Sequence, residues 1–530
     1  MADTTRPLGA QISHMLKDRG VDCVFGIPGV HNQEMYRGIE EAGITHVLAR
    51  HEQGAGFMAD GYARATGKPG VAYVITGPGV CNVMTPMGQA YSDSVSLLVI
   101  SSCLDETSAR RGQLHQMKDQ EIAAGTVCDW SETALSAQAT YTLVDRALSE
   151  FTSQRRRSKH IQVPIAQLQG QAAPAPAALA PPVTRAAPAA AVAQAADLLR
   201  AAQKPMFIFG GGAVGAADVA RPLLRQLAAA SATTYAGRGI ITADDPLHFG
   251  ACLAREDSAA VIAEADLVIA IGTELAEVDI WRAHLGHTAP MIRVDIDPEV
   301  LCDPQRAEYP VLADATAFVS ALTEALQGQG AKTGWQPDRV TAARRRWRSD
   351  TDAERPGIVP ICDALRAAVP ADTMIYSDMT QFAYVAKEVW AMDRPGHWHH
   401  PYGFGTLGYA TPAAIGGAVA RRGKPTLAII GDYGFHYTLQ ELGVAVELGL
   451  SLPIILWDNG KLKEIEDSMV RAQIAPNAVI AQNPDFCKLA EAFGAKAAAP
   501  DNLDALQQAV TDAFSADGPT LIYVTPAITG

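Results

Sequence analysis

Residues 427–460 read LAIIGDYGFHYTLQELGVAVELGLSLPIILWDNG, and this stretch decides the fold class. Its apolar runs LAII and IILW flank an amphipathic stretch at about 438–449. The pattern predicts a strand, a helix and a second strand in one right-handed crossover unit. Asp432 and Asn459 follow the two strands and should meet at one sheet edge, because neighbouring strands lie about 4.8 Å apart. Their oxygen atoms suit a Mg²⁺ ion that holds a diphosphate group.

The same alternation of strand-like and helix-like runs extends through the rest of the chain. A chain of 530 residues is too long for a single core. We therefore predict an α/β protein with three doubly wound domains, each with a mainly parallel sheet. The predicted boundaries are 1–170 for the first domain, 171–190 for an Ala- and Pro-rich linker, 191–327 for the central domain, 328–355 for a second linker and 356–530 for the third domain.

The composition excludes several classes of function. Hydrophobic content of 48% and charged content of 19% are typical of a globular protein. A net charge of −14 argues against a nucleic-acid partner and against binding to anionic membranes. The sequence has neither a signal-peptide pattern at Met1–Arg6 nor an apolar run of about 18 residues. The eight scattered cysteines form no C-x-x-C pair, which favours free thiols and a cytoplasmic location.

Two motifs in the first segment follow predicted strands. Glu52 lies where a strand gives way to a helix, within RHEQGAGFMADGYAR. A carboxyl group with apolar neighbours there can share a proton with a ring nitrogen, although a helix-capping role is the alternative. The glycine-containing turn Thr76–Gly79 permits close approach of a ligand.

The middle of the chain carries weaker signals. Gly210, Gly212 and Gly215 form a G-x-G-x-x-G motif after a strand, but no acidic residue follows about 20 positions later. We therefore favour a packing turn over a nicotinamide site. The run Arg344-Arg345-Arg346 is interpreted as a solvated helix face or linker rather than a binding surface.

Six stretches along the chain carry a resemblance to a known family: RHEQGAGFMADGYAR (50–64), TGPGVCN (76–82), GRGIITADDPLHFG (237–250), VDIDP (294–298), GTLGYATPAAIGGA (405–418) and the segment 431–460. In this order they resemble the thiamine diphosphate-dependent 2-oxo acid enzymes of the acetolactate synthase and decarboxylase family. The resemblance implies pyrimidine-binding, central and diphosphate-binding domains, in that order. It also implies a small-molecule 2-oxo acid substrate and a homodimer or homotetramer with active sites at the subunit interface. FAD is not expected, because the FAD-binding features around 273–282 are poorly kept.

The resemblance also assigns roles to individual residues. Glu52 matches the glutamate that protonates the cofactor's pyrimidine ring, and the carbonyl of Gly405 matches the acceptor of its amino group. Leu407 matches the bulky residue that bends the cofactor. Asp432 and Asn459 match ligands of Mg²⁺, although Tyr433 replaces the usual glycine after the aspartate. The third metal ligand would be the carbonyl of Lys461, and the other expected cofactor contacts are Gly26, Thr76, Gly77, Gln381, Gly431, Tyr433, Gly434 and Leu462.

Two further segments bear on the reaction. RGQLHQMKDQ (111–120) contains His115, which can supply protons near neutral pH, unless it is merely a surface histidine. Glu464 and Ile465 lie in a segment that lines the substrate pocket in relatives. A carboxylate there can bind a guanidinium group, unless it only pairs with a neighbouring lysine.

Together the two segments resemble 5-guanidino-2-oxopentanoate (2-ketoarginine) decarboxylases, and we expect decarboxylation of that acid to an aldehyde. An acetolactate synthase-like carboligase is the alternative. A catalytically inactive structural homologue is a third possibility.

Overall fold

The computed structural model describes residues 4–178, 180, 182, 186–305, 307–332 and 334–529, so part of the predicted linker 171–190 lies outside the described residues. The chain divides into two compact units. Both contain parallel sheets covered by helices, which confirms the predicted fold class. The first unit consists of Met1–Pro182, Thr373–Thr380 and His400–Ile528, and the second of Val183–Asp372, Gln381–His399 and Thr529–Gly530.

The N-terminal part of the first unit contains a parallel sheet with the strand order β3-β2-β4-β5-β7-β6. A short antiparallel pair, β1 with β8, lies beside it. The strands are β1 (Arg6–Pro7), β2 (Cys23–Gly26), β3 (Thr45–Leu48), β4 (Gly70–Val74), β5 (Leu97–Cys103), β6 (Trp130–Thr133), β7 (Lys159–Pro164) and β8 (Gln171–Ala172). The helices are α1 (Leu8–Asp18), α2 (Gln33–Arg37), α3 (Glu52–Thr66), α4 (Pro78–Ser92), α5 (Gln120–Gly125), α6 (Ala137–Ser153) and α7 (Ile165–Gln169).

Both faces of this sheet are buried. Val71 and Tyr73 of β4 belong to one apolar cluster, which includes residues of α1 and α6. Ala72 and Val74 belong to another cluster, which includes residues of α3 and α4. Because side chains alternate along a strand, helices on both faces require continuous apolar runs, as the sequence shows.

The second unit contains the parallel sheet β10-β9-β11-β12-β13. Helix α13 occupies most of the predicted linker 328–355 and buries Val340, Ala343 and Trp347. No helix in the described part of the chain combines the length and the apolar character that a membrane span requires. The strands are β9 (Pro205–Phe209), β10 (Ala230–Thr233), β11 (Leu267–Ile271), β12 (Met291–Asp295) and β13 (Tyr309–Leu312). The helices are α8 (Ala189–Ala201), α9 (Ala217–Leu227), α10 (Ser258–Ile262), α11 (Glu277–Ile280), α12 (Ala315–Ala325), α13 (Pro337–Glu354), α14 (Ile358–Ala368) and α15 (Gln381–Val389).

The C-terminal part of the first unit contains a second parallel sheet, in which β16 and β17 are neighbours. Gly431 pairs with Trp457, so both strands end at the same edge, as the sequence predicts. The helical segment begins at Asp432 rather than near residue 438 and is interrupted by a 3-10 turn at Leu439–Glu441. The strands are β14 (Met374–Ser377), β16 (Thr426–Gly431), β17 (Pro453–Trp457), β18 (Lys496–Ala498) and β19 (Thr520–Val524), and the short strand β15 (Trp398–His399) belongs to the second unit. The helices are α16 (Ala410–Ala420), α17 (Asp432–Thr438), α18 (Leu442–Glu447), α19 (Lys463–Arg471), α20 (Phe486–Ala492) and α21 (Leu503–Ala513).

Helices α3 and α16 join the two parts of the first unit. Their backbones approach so closely that a Cβ atom on Gly61 would lie 1.9 Å from the carbonyl oxygen of Ala413. Asp60 accepts hydrogen bonds from Arg64 and from the Tyr409 hydroxyl, both at 2.7 Å, in this buried contact. A paired charge network tolerates burial, whereas an unpaired charge would not. The start of α3, where Glu52 lies, is therefore held on a rigid contact.

Candidate active site

Glu52 is the first residue of α3 and is buried, with 8% of its surface exposed. The amide of Asn82, on α4, donates a hydrogen bond of 2.8 Å to the Glu52 carboxylate. The other carboxylate oxygen lies near Gly79, in the turn that begins α4. The structure thus places a buried carboxyl group at this turn, and its exchange of a proton with a ring nitrogen stays a prediction.

A second buried carboxylate, Glu441, holds the turn that precedes Glu52. It accepts hydrogen bonds from the backbone N–H groups of Arg50, at 3.1 Å, and His51, at 2.9 Å. Burial raises the pKa of Glu441 to about 7, and the charge of Glu52 adds to the effect. Glu441 could not be identified from the sequence, where an acidic residue directly before the apolar run LGVAVELG (442–449) is a weak signal.

The turn at Thr76 and Gly77 is fixed by side chains from neighbouring strands and helices. The Thr76 hydroxyl lies 2.8 Å from that of Ser102, and the Gly77 N–H donates a hydrogen bond of 2.8 Å to Gln120. A Cβ atom on Gly77 would lie 2.3 Å from the carbonyl oxygen of His115, so only glycine fits here. The loop that carries His115 therefore packs directly against this turn.

His115 is paired with a second histidine that the sequence analysis missed. The ring centroids of His31 and His115 lie 4.9 Å apart in an edge-to-face arrangement. The Nδ1 atom of each ring is buried and has no hydrogen-bond partner among the described residues. Burial lowers the pKa of His31, and repulsion by His115 adds to the effect. The motif PGVHNQE after β2 was the available signal, but neither histidine is near the other in sequence.

Polar side chains gather at the carboxyl edge of the second sheet, after β16 and β17. The amide of Asn483 donates hydrogen bonds to Asp432, at 2.8 Å, and to Asp458, at 2.9 Å. Tyr523 donates a further hydrogen bond of 2.9 Å to Asp458. Burial and the nearby Asp458 raise the pKa of Asp432. The side-chain oxygen of Asn459 accepts from the Lys461 N–H at 3.3 Å.

This donor set fits Mg²⁺. Two adjacent carboxylates repel each other in a buried setting, and a cation relieves that repulsion. Carboxylate, amide and backbone carbonyl oxygens are the ligands that Mg²⁺ prefers, and the phosphate oxygens of a nucleotide or cofactor complete its coordination. Among the described residues, no group of three or more His, Cys, Asp or Glu side chains could hold a metal ion, so the carboxylates here need amide, carbonyl and phosphate oxygens to complete a site.

The loop that carries Gly405 and Leu407 is held by Asp378, another residue that the sequence analysis missed. Asp378 accepts hydrogen bonds from the N–H groups of Gly408, at 3.2 Å, and Ala410, at 3.0 Å. Burial raises the pKa of Asp378 to about 6. Asp378 thus fixes the backbone on the C-terminal side of Leu407, the bulky residue that is expected to bend the cofactor.

The other predicted site residues fall into three groups. Gly26 is the last residue of β2, next to the loops that follow the strands of the first sheet. Gly431, Tyr433 and Gly434 surround Asp432 at the start of α17, and Leu462 precedes α19. Gln381 begins α15 in the second unit, unlike all the others.

Glu464 and Ile465 lie in the first turn of α19, which has no buried residue. The two lysines that precede Glu464, Lys461 and Lys463, pair with other acidic residues. Lys461 lies 3.1 Å from Glu466, and Lys463 contacts Glu466 and Asp467.

Comparison with known proteins gives a consistent result. Three family models match the chain: the N-terminal thiamine pyrophosphate (TPP) binding domain of thiamine pyrophosphate enzymes at residues 6–122, their central domain at 192–322 and their C-terminal TPP binding domain at 378–524. The chain is 43% identical to a probable 2-ketoarginine decarboxylase, AruI, of Pseudomonas aeruginosa. This alignment of 526 residues covers 98% of this chain and 94% of that protein. It is 31% identical over 533 residues to the large subunit of acetolactate synthase isozyme 2 of Escherichia coli, covering 97% of this chain and 95% of that protein.

Proposed function

Because this chain belongs to the thiamine diphosphate-dependent 2-oxo acid enzymes, we propose that it decarboxylates 5-guanidino-2-oxopentanoate to the aldehyde with one carbon fewer. The observation that carries this proposal is the 43% identity, over nearly the whole length of both chains, to the probable 2-ketoarginine decarboxylase. The acetolactate synthase is a more distant relative, at 31% identity. Decarboxylation of a 2-oxo acid is therefore the reaction, and the guanidino acid is the favoured substrate.

The site residues have distinct roles in this proposal. When bound, thiamine diphosphate supplies the nucleophilic carbon for the 2-oxo group and takes up the electron pair that decarboxylation releases. Glu52 would exchange a proton with the pyrimidine ring, and the Gly405 carbonyl would accept a hydrogen bond from its amino group. Asp432, Asn459 and the carbonyl of Lys461 would hold Mg²⁺. His115 and His31 deliver the proton that allows release of the aldehyde.

Glu464 is proposed to recognise the guanidinium group of the substrate. A carboxylate–guanidinium pair is charge-assisted, and its loss costs about 1.5–3 kcal/mol, or roughly tenfold to a hundredfold in affinity. Glu464 lies in the first turn of α19, a helix with no buried residue, and this position leaves the segment accessible to a ligand.

To test the proposal, the purified enzyme is supplied with thiamine diphosphate and Mg²⁺ and incubated with 2-ketoarginine, with pyruvate or with 2-oxohexanoate, whose side chain carries no charge. We expect CO₂ and 4-guanidinobutanal from 2-ketoarginine and little acetolactate from pyruvate. Acetolactate as the main product would instead establish the carboligase, and absence of turnover with every acid would establish an inactive homologue. Glu52→Gln should bind cofactor but lose most turnover.

Glu464→Gln should raise the KM for 2-ketoarginine by about tenfold or more and leave that for 2-oxohexanoate nearly unchanged. Glu466→Gln is the matched control, since it removes the same charge two residues away from a side chain that already pairs with lysines. Equal effects of both variants on both acids would refute the assignment of Glu464.

We also propose that the active site is completed by a second copy of the chain. Exposed apolar side chains lie beside the site residues: Val30 and Leu114 are each 61% exposed and adjoin His31 and His115. Ile465 is 49% exposed on α19. Burial of such side chains against a partner would be favourable. Whether the assembly is a dimer or a tetramer is measured by sedimentation.

A mixing experiment tests the shared site. If Glu52 of one subunit and Asp432 of its partner serve the same site, Glu52→Gln and Asp432→Ala are each inactive alone but regain activity when subunits exchange. No recovery, with exchange verified by a mass tag, would place both residues in one subunit's site.

The eight free cysteines further support a reducing location such as the cytoplasm.

A further inference from the structure

The second unit contains a cavity of about 340 Å³, and no residue of the candidate active site lines it. It lies beside β10 and is enclosed by the segment that follows this strand, by one face of α13 and by the end of α15. A volume of this size falls at the lower end of the range typical of small-molecule sites. Among the described residues that line it, none comes from the glycine-containing turn 210–215.

One wall of the cavity is basic. Arg344, Arg345 and Arg348 line it from α13, where positions separated by three or four residues share a face. The Arg344 guanidinium donates to the carbonyl oxygen of Ala243 at 3.0 Å, and Arg348 pairs with Asp363. Arg345 is exposed at the cavity edge. A carbonyl contact does not neutralise the charge of Arg344, so this wall retains positive charge.

Glu388 is the acidic side chain among the described residues that line the cavity, and its charge is already matched. Arg255 donates to its carboxylate at 2.8 Å, and the Thr351 hydroxyl donates at 2.9 Å. The Tyr235 hydroxyl donates to its other oxygen at 3.1 Å. The cavity therefore carries a net positive charge, which favours an anionic ligand.

Apolar and aromatic side chains also line the cavity, among them Phe249, Trp390 and Met392. At the end of β10, the fully buried Thr233 lines the cavity, and its hydroxyl oxygen has no hydrogen-bond partner among the described residues. Buried hydroxyl groups in folded proteins are nearly always hydrogen-bonded. This hydroxyl points to a polar ligand atom, independently of the arginines.

We propose that this cavity binds a small organic anion, whose phosphate or carboxylate group contacts Arg344 and Arg345 and whose flat or apolar body lies against Trp390 and Phe249. The guanidinium fork matches either anionic group, and the apolar wall contributes by burial. The sequence alone predicts that Arg344–Arg346 is a solvated helix face or linker. The structure divides this run, because Arg344 and Arg345 line the cavity, whereas Arg346 pairs with Asp257 outside it.

The test is isothermal titration of the full-length enzyme saturated with thiamine diphosphate and Mg²⁺, so that the cofactor site is filled. The probes are AMP, adenosine, inorganic phosphate and benzoate. AMP should bind at least about tenfold more tightly than adenosine, which lacks the charge, and than inorganic phosphate, which lacks the apolar body. Benzoate binding at the same site would show that a carboxylate replaces the phosphate. Equal affinity for AMP and adenosine, or no binding of AMP and benzoate, overturns the proposal.

Variants locate the site. Arg345→Gln, at an exposed position with little effect on folding, should weaken AMP binding by about tenfold, and Arg344→Gln should act similarly. Thr233→Val keeps the shape of the side chain and should weaken binding severalfold. Arg346→Gln is the matched control on the same helix and should bind AMP normally. If Arg346→Gln weakens binding as much as Arg345→Gln, general electrostatic attraction explains the result and the assigned site is wrong.

Discussion

Replacement of Glu441 by glutamine should change how the stability of this protein depends on pH. Burial raises the pKa of Glu441 from the usual 4.5 to about 7. The folded protein therefore holds an extra proton between pH 4.5 and pH 7, and its free energy of unfolding falls as the pH rises through this window. Because one pKa unit corresponds to 1.36 kcal/mol, the loss amounts to about 3 kcal/mol and persists above pH 7.

The glutamine variant lacks this titration. The free energy of unfolding of the unmodified enzyme falls between pH 4.5 and pH 8, whereas that of Glu441→Gln does not fall for this reason. Relative to the unmodified enzyme, the variant should therefore gain about 3 kcal/mol over this range. The sign of the difference at one pH is less informative, because an amide has one acceptor oxygen instead of two for the N–H groups of Arg50 and His51.

The measurement is thermal unfolding of the cofactor-free enzyme at fixed scan rate and ionic strength. Hydrogen exchange of the Arg50 and His51 amides reports the local effect. The control is Glu447→Gln, which removes a carboxylate that is 58% exposed and paired with Arg50. Parallel pH profiles for Glu441→Gln and the unmodified enzyme would refute a raised pKa at this residue.

Three further predictions concern the active site. Asp432→Ala should abolish the Mg²⁺-dependent part of thiamine diphosphate binding, and calorimetry showing equal affinity with and without Mg²⁺ in the unmodified enzyme would contradict this. Asp378→Asn removes one of the two oxygens that accept hydrogen bonds from the loop that carries Leu407. The Kd of the cofactor, measured by fluorescence quenching, should rise about tenfold. An unchanged Kd would show that the loop does not need this anchor. His31→Gln and His115→Gln should each lower kcat about tenfold or more, and the double variant should lose little more than the worse single variant, because the two rings act as a unit; additive losses would show independent roles.

The sheet edge at Asp432 could be predicted from the sequence because its information is local. The apolar runs, the intervening amphipathic stretch and the acidic residue all lie within 427–460, and parallel neighbours must end at the same edge. The start of the helix was misplaced, since the glycine- and aromatic-containing segment after Asp432 has no clear amphipathic period. Tertiary contacts decide its conformation, as the buried Phe435 and Thr438 show.

The residues that hold the site could not be predicted, because their partners are remote in sequence. Glu441 is separated from Arg50 by 391 positions, and no pattern in a single sequence connects them. The same holds for His31 and His115, which meet only when two loops of one sheet edge fold together. Helix α13 is a different case: its many charged residues suggest a linker, but its buried Trp347 and Val340 pack into the second unit.

Glu441 and Asp378 share one physical role on the two sides of the site. Each is a buried carboxylate that accepts hydrogen bonds from backbone N–H groups close together in the sequence. The groups that donate to Glu441 lie just before Glu52, and those that donate to Asp378 lie just after Leu407. Backbone N–H groups in a dry turn need acceptors, and a carboxylate offers two oxygens from a single side chain. A buried carboxylate charge is unfavourable, and burial therefore raises the pKa of both residues. Glu52 and Leu407, the residues proposed to exchange a proton with the cofactor and to bend it, are thus positioned by carboxylates whose own protonation depends on pH near neutrality.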